Sequence, residues 1–176
     1  MTTTYDRETL VAELRERGVA YLAPSDALAV DPPPSDGALL LALLEQSDAR
    51  LRMGLVPLFI RHPALAAEVE RLAAEIDPSL RLELQTYYQA AVYLQRLWRS
   101  RLGFYLDTSV LLPDLFSEEM GLPPADERHG KVGLYDLADA WQARSRYPFD
   151  RLAEINQIFE HFLGQLEIEG FRPEYA

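Results

Sequence analysis

One stretch, residues 77–102, constrains this chain more than any other. Asp77 is a capping residue, and Pro78 follows it at the first helical position, where a missing N–H costs nothing. From there Leu80, Leu84, Tyr87, Ala91, Leu94 and Trp98 recur at spacings of four and three. At about 3.6 residues per turn they fall on one stripe. Arg81, Gln85, Gln89, Arg96 and Arg99 are expected on the other side, and Gly103 ends the run. A helix of about 26 residues is about 39 Å long. The rest of a small chain has to be built around it.

The neighbouring segments also read as helices. Residues 5–17 carry Leu10, Val11 and Leu14 among charged residues, and Gly18 suits the helix end. Residues 19–22 fit a short strand or a tether, followed by a stiff connector made of Pro24 and the run Pro32-Pro33-Pro34. Ser35 is expected to cap a helix to Gln46, and Ser47 one running from Asp48 to about Ile60, kinked by Pro57. Pro63 opens a further helix to Ile76. Residues 103–133 are the least regular, with four glycines and three prolines. A short strand at 104–106, paired with 19–22, is the one strand reading this region offers. Helices resume at 134–144 and, capped by Asp150, at 151–167, where Leu152, Ile155, Phe159, Phe162 and Leu166 share a face.

The expected architecture is therefore all-α: a compact bundle of about six or seven helices around one long central helix. Residues 1–34 read as an N-terminal helix and proline-rich arm, and 35–176 as a single helical domain. Of the 176 residues, 48% are apolar, enough for one contiguous core. The N-terminus lacks a basic region followed by an apolar stretch, so no signal peptide is expected. The longest strongly apolar runs, 39–44 and 55–60, fall short of the ~20 residues that span a bilayer. A cytoplasmic, non-membrane protein is the expectation. Sixteen arginines against a single lysine, with abundant Ala and Leu, point to a GC-rich bacterial genome.

Charge narrows the function. The net charge is −11, the wrong sign for a general phosphate-backbone binder, so direct nucleic-acid binding is not expected. Cysteine is absent, which removes disulfides, thiolate nucleophiles and cysteine-based metal sites. No glycine-rich phosphate cradle and no nucleophile elbow is present. His62, His129 and His161 form no H-E-x-x-H pattern, and no metal or cofactor is expected. His62, before Pro63, reads as a helix-junction residue.

Residues 77–102 stand apart electrostatically, with four arginines against two acids. Arg96, Arg99 and Arg101 surround Trp98, and arginine interleaved with aromatics can clasp an acidic segment or a nucleotide. Cations near a helix C-terminus are also favoured by its dipole alone. Arg81, Gln85, Arg96, Arg99 and Arg101 are thus the candidate partner- or ligand-binding residues. Arg50, Arg52 and Arg61, flanking the apolar run 51–60, can either pair with nearby helices or grip an acidic partner. The segment 103–133, with six acids and two bases, can engage a basic patch.

Ser47-Asp-Ala-Arg-Leu-Arg-Met-Gly-Leu-Val-Pro-Leu-Phe-Ile-Arg-His-Pro63 and Tyr87-Tyr-Gln-Ala-Ala-Val-Tyr-Leu-Gln-Arg-Leu-Trp98 resemble a group of small bacterial proteins encoded beside minimal nucleotidyltransferases. The resemblance implies one member of a two-gene, toxin–antitoxin-like module. A nucleotidyltransferase itself would need Gly-Ser followed by D-x-D, and a HEPN-class ribonuclease an arginine four to six residues before a histidine; neither is present. The leading expectation is a non-enzymatic partner-binding or regulatory protein, an antitoxin-like companion that occludes a nucleotidyltransferase through its acidic loop and helices or its arm. An enzyme with a helical active site around Arg96, Arg99 and the tyrosines is the alternative, followed by a nucleic-acid-binding regulator. A homodimer is compatible with each.

Overall fold

Side-chain caps set most of the helix starts. In the computed structural model, which describes residues 5–20, 22, 26, 28–146 and 149–170, Asp6 accepts from the Thr9 N–H at 2.8 Å and opens α1 (Arg7–Glu16). Gly18 follows at φ 78°, the left-handed conformation that ends a helix without a Cβ penalty. Ser35 accepts from the Ala38 N–H at 3.3 Å and opens α2 (Asp36–Leu44). Asp48, rather than the expected Ser47, caps α3 (Ala49–Met53) through the Arg50 N–H at 2.9 Å.

The helix expected from Asp48 to about Ile60 is split in two. After Gly54 the chain continues as α4 (Leu55–Arg61). Pro57 has no N–H to give the Met53 carbonyl, and the break falls at that carbonyl. A single 3₁₀ turn, Pro63–Leu65, leads into α5 (Ala66–Glu75). Asp77 accepts from the N–H groups of Ser79 and Leu80, at 2.9 and 3.1 Å, and opens α6 (Pro78–Leu97). The pillar breaks once, at Trp98 (φ −110°, ψ 19°), and resumes as α7 (Arg99–Leu102). α8 (Lys131–Arg144) begins three residues earlier than its periodicity indicates, and α9 (Arg151–Gly170) is capped by Asp150 through the Ala153 N–H at 2.9 Å. With α3–α4 and α6–α7 each taken as one interrupted rod, the described residues form seven rods, an all-α bundle around a long central helix.

The described residues contain no strand. The N–H groups of Phe104, Tyr105 and Leu106 bond back to the carbonyls of Arg101 and Leu102, at 3.3, 2.9 and 2.8 Å, so 104–106 finish the helix above them. The Val19 N–H bonds to the Leu14 carbonyl at 2.8 Å, and no ladder pairs it with 104–106. Tyr21 and Pro24 lie outside the described residues.

Helix α6 is buried on every side from Leu84 to Gln95. α4 and α5 cover one side and α8 another. The irregular segment 104–126 covers the third. Tyr88 meets Phe59 of α4 and Phe116 of this segment edge-on, with ring centroids 5.3 and 5.6 Å apart. Gln85 and Gln89, on the side opposite the apolar stripe, are therefore both buried. A segment without a ladder must satisfy its polar groups by other means, and α6 supplies partners. Gln89 donates to Asp114 at 2.7 Å, and Gln95 accepts from the Leu112 N–H at 2.7 Å. Tyr88 and Tyr93 donate their hydroxyl protons to the carbonyls of Pro113 and Pro123, at 2.9 and 2.7 Å.

Leu10, Val11 and Leu14 of α1 join the same core as the later helices. The connector is tied down by Glu13, whose buried carboxylate accepts from the Val30 N–H at 2.7 Å and pairs with Arg17 at 2.5 Å. No described helix is long and apolar enough to cross a membrane.

Candidate functional site

The residues singled out along the pillar do not converge. Arg81 lies in the first turns of α6, where its guanidinium holds both oxygens of Glu119, at 2.8 and 3.0 Å. Gln85, one turn on, is buried, and its Nε2 has no partner among the described residues. Arg96 is largely buried and reaches Asp126 at 3.4 Å. Arg101 pairs with Glu167 of α9 at 2.7 Å. Arg99 is exposed and makes no ion pair among the described residues. Three of these four arginines thus hold carboxylates of the chain itself. A 20-residue helix also separates its two ends by about 30 Å.

A different set of arginines does converge. A cleft of about 820 Å³ opens between α1, α3, α6, α8 and α9. Arg7 enters it from α1, Arg50 and Arg52 from α3, Arg144 from the end of α8 and Arg151 from the start of α9. Glu83 and Glu154 are its two lining carboxylates, so the lining carries a net charge of +3 in a chain of −11. Tyr87, Trp141 and Met53 form its apolar floor, and Phe149 and His161 lie at its margin.

Local structure explains how each cation is held. Arg50, Arg52 and Arg144 occupy the last turns of their helices, where the dipole favours positive charge. Arg52 donates Nε to the Tyr87 hydroxyl at 3.3 Å and Nη1 to the Gln46 carbonyl. Arg144 donates to the Thr86 hydroxyl at 3.0 Å. Consecutive residues of α6 thereby anchor both guanidiniums, and neither meets a carboxylate among the described residues. Arg7 pairs with Asp48 at 2.9 Å, a bond that holds the Asp48 carboxyl below its ordinary value.

Arg151 sits at a helix start, against the dipole. Its compensation is local: Glu154 one turn on at 2.7 Å, and Ser145 at 3.0 and 3.2 Å. Its guanidinium also lies over Trp141, 4.8 Å from the ring centroid, and 5.6 Å from that of Phe149. Trp141 in turn meets Tyr87 edge-on at 5.3 Å. Burial, with Glu83 adding to it, pushes the Tyr87 hydroxyl up to about 12, so it stays a neutral phenol.

Guanidiniums keep their charge at any physiological pH and present planar forks that match phosphate or carboxylate oxygens. The chemistry this lining can supply is therefore to hold and orient an anion. The sequence reading touched the site at Arg50, Arg52 and Tyr87. It missed Arg7, Arg144 and Arg151, which reach the cleft from α1, α8 and α9, elements that only the packed bundle brings beside α3. The closeness of Arg144 and Arg151 across the α8–α9 junction is the one local signal that could have found two of them.

The histidines stay apart. His62 ends α4, and its Nε2 lies 2.6 Å from the Arg17 carbonyl at the end of α1, a junction contact. His129 is exposed, in a left-handed turn. Among the described residues no group of three or more His, Asp or Glu is placed to hold a metal ion. No family model, curated protein or solved structure matches the chain.

Proposed function

We propose that this chain is a non-enzymatic regulatory binding protein that recognises an anionic group in its arginine cleft. One observation carries the reading. Arg81, Arg96 and Arg101 each meet a carboxylate of the chain itself. Arg52 and Arg144 instead face a cavity while resting on neutral oxygens. Their charge is balanced when an anion enters.

Thermal melting tests this directly. A ligand that binds only the folded state stabilises it by mass action, about 2.7 kcal/mol at a hundredfold excess over Kd. Pyrophosphate at millimolar concentration is expected to raise the wild-type Tm by several degrees and to leave the Arg52→Gln/Arg144→Gln double variant unmoved. Equal shifts in both proteins, or none in either, would contradict the reading.

The resemblance to proteins encoded beside minimal nucleotidyltransferases adds a companion, which this chain would regulate by occlusion in a bacterial cytoplasm. The observation favouring a protein contact is the fastening of 104–126 onto α6, which presents the exposed Glu118, and Glu127 just beyond it, from a fixed backbone. Deleting that segment would strip Leu112, Phe116 and Ala125 from the core, so charge reversal is the better probe. Glu118→Lys with Glu127→Lys should weaken co-purification with the companion, and unchanged binding would count against occlusion by this segment.

A further inference from the structure

We propose that the ligand of the arginine cleft is a nucleotide, with its phosphates on Arg52 and Arg144 and its base beside Arg151 and Phe149. The inference rests on the reading of the cleft as an anion site, and it adds the class of molecule.

Size is the first argument. A volume of about 820 Å³ falls in the ~300–1,000 Å³ range of small-molecule sites. It is far more than a lone phosphate fills. Peptide segments, by contrast, usually take a sheet edge or a long open groove, and the described residues contain no strand to extend.

Charge gives the second argument. A duplex or long single strand would lie against the outer surface of a −11 chain and be repelled. A single nucleotide needs only the local positive patch inside the cleft. Arg52 and Arg144, anchored on Tyr87 and Thr86, both line the cleft, and each offers a fork that matches phosphate oxygens.

The remaining walls separate a nucleotide from a bare polyphosphate. Arg151 lies over Trp141 and within 5.6 Å of the Phe149 ring centroid, and Phe149 is half exposed where it lines the cleft. This gives a planar, cationic and aromatic surface of the kind that bases stack on. Glu83 lines the cleft without an ion pair among the described residues. A polyphosphate offers that carboxylate only repulsion. Ribose hydroxyls and exocyclic amines offer it donors.

The test is calorimetric titration of the full chain with adenosine and guanosine mono- and diphosphates, the two nucleosides, pyrophosphate and a glutamate-rich peptide. A nucleoside phosphate should bind at least about tenfold tighter than pyrophosphate or either nucleoside, in keeping with ~1–3 kcal/mol per stacked base. Arg144→Gln should weaken nucleotide and pyrophosphate alike by about tenfold, as expected for a lost charge-assisted bond. Phe149→Ala should weaken the nucleotide only. Arg144 and Phe149 are exposed, so their variants are expected to fold, and a melting curve measured alongside checks this. Pyrophosphate binding as tightly as every nucleotide, or the peptide binding alone, overturns the nucleotide assignment and leaves an anion cleft. No binding by any anion overturns both.

Discussion

Asp114 is the residue on which the irregular segment closes. Its carboxylate accepts from the Ser117 N–H and hydroxyl, the Ala125 N–H and the Gln89 amide, at 3.3, 2.7, 2.8 and 2.7 Å. Burial alone would raise its pKa, but these bonds outweigh burial and hold the carboxyl below its ordinary 3.8. A carboxyl depressed in the folded state contributes stability above its unfolded pKa and loses it as the pH falls through the folded value. Asp114→Asn should therefore cost about 1–2 kcal/mol at neutral pH. The gap to wild type should close as the pH falls well below 3.8. Urea unfolding at both pH values checks this, and a gap that does not change with pH would contradict it. Gly133 makes a second residue-scale case. A Cβ there would fall 2.2–2.7 Å from three ring carbons of Tyr93, which is buried and held by its bond to the Pro123 carbonyl. Gly133→Ala should cost about 1–3 kcal/mol by overpacking, read as a lowered Tm; an unchanged Tm would mean that α8 shifts freely. Neither role was legible in the sequence. Asp114 reads as one acid among several in a loop, and Gly133 as a helix-boundary glycine. Both acquire their meaning from what α6 places beside them.

Among the elements, the pillar was legible and its wrapping was not. Asp77-Pro78 and the apolar stripe are local signals, and α6 starts where they place it. The opposite face carries Gln85 and Gln89, and a polar face reads as solvated. In this fold those amides are buried, where Gln89 satisfies a covering segment that has no secondary structure of its own. Periodicity cannot distinguish the two cases, because both need polar side chains. The hydroxyls of Tyr88 and Tyr93 do the same work, and they allow an element-scale prediction. Tyr88→Phe with Tyr93→Phe should cost about 1 kcal/mol per lost bond. Amide exchange should quicken chiefly within 107–126 while the α6 core stays protected. Uniform acceleration along the chain would instead mean that the segment and the bundle unfold as one unit.

For the whole molecule, the decisive property is where the charge lies. The excess of arginine over acid along 77–102 drew attention to Arg81, Gln85, Arg96, Arg99 and Arg101, yet most of that charge is spent on the chain's own carboxylates. The cleft draws its arginines from α1, α3, α8 and α9, elements far apart in sequence, so only the packed bundle brings them together. On the proposed reading, a basic cleft in a chain of net charge −11 favours small anions over large polyanions. The most direct test follows the arginine Nε–H resonances by NMR as a nucleoside monophosphate is added. Shifts concentrated at Arg52, Arg144 and Arg151, saturating together, are the result this account predicts. Shifts confined to Arg81, Arg96, Arg99 and Arg101, or no saturable shifts at all, would contradict it.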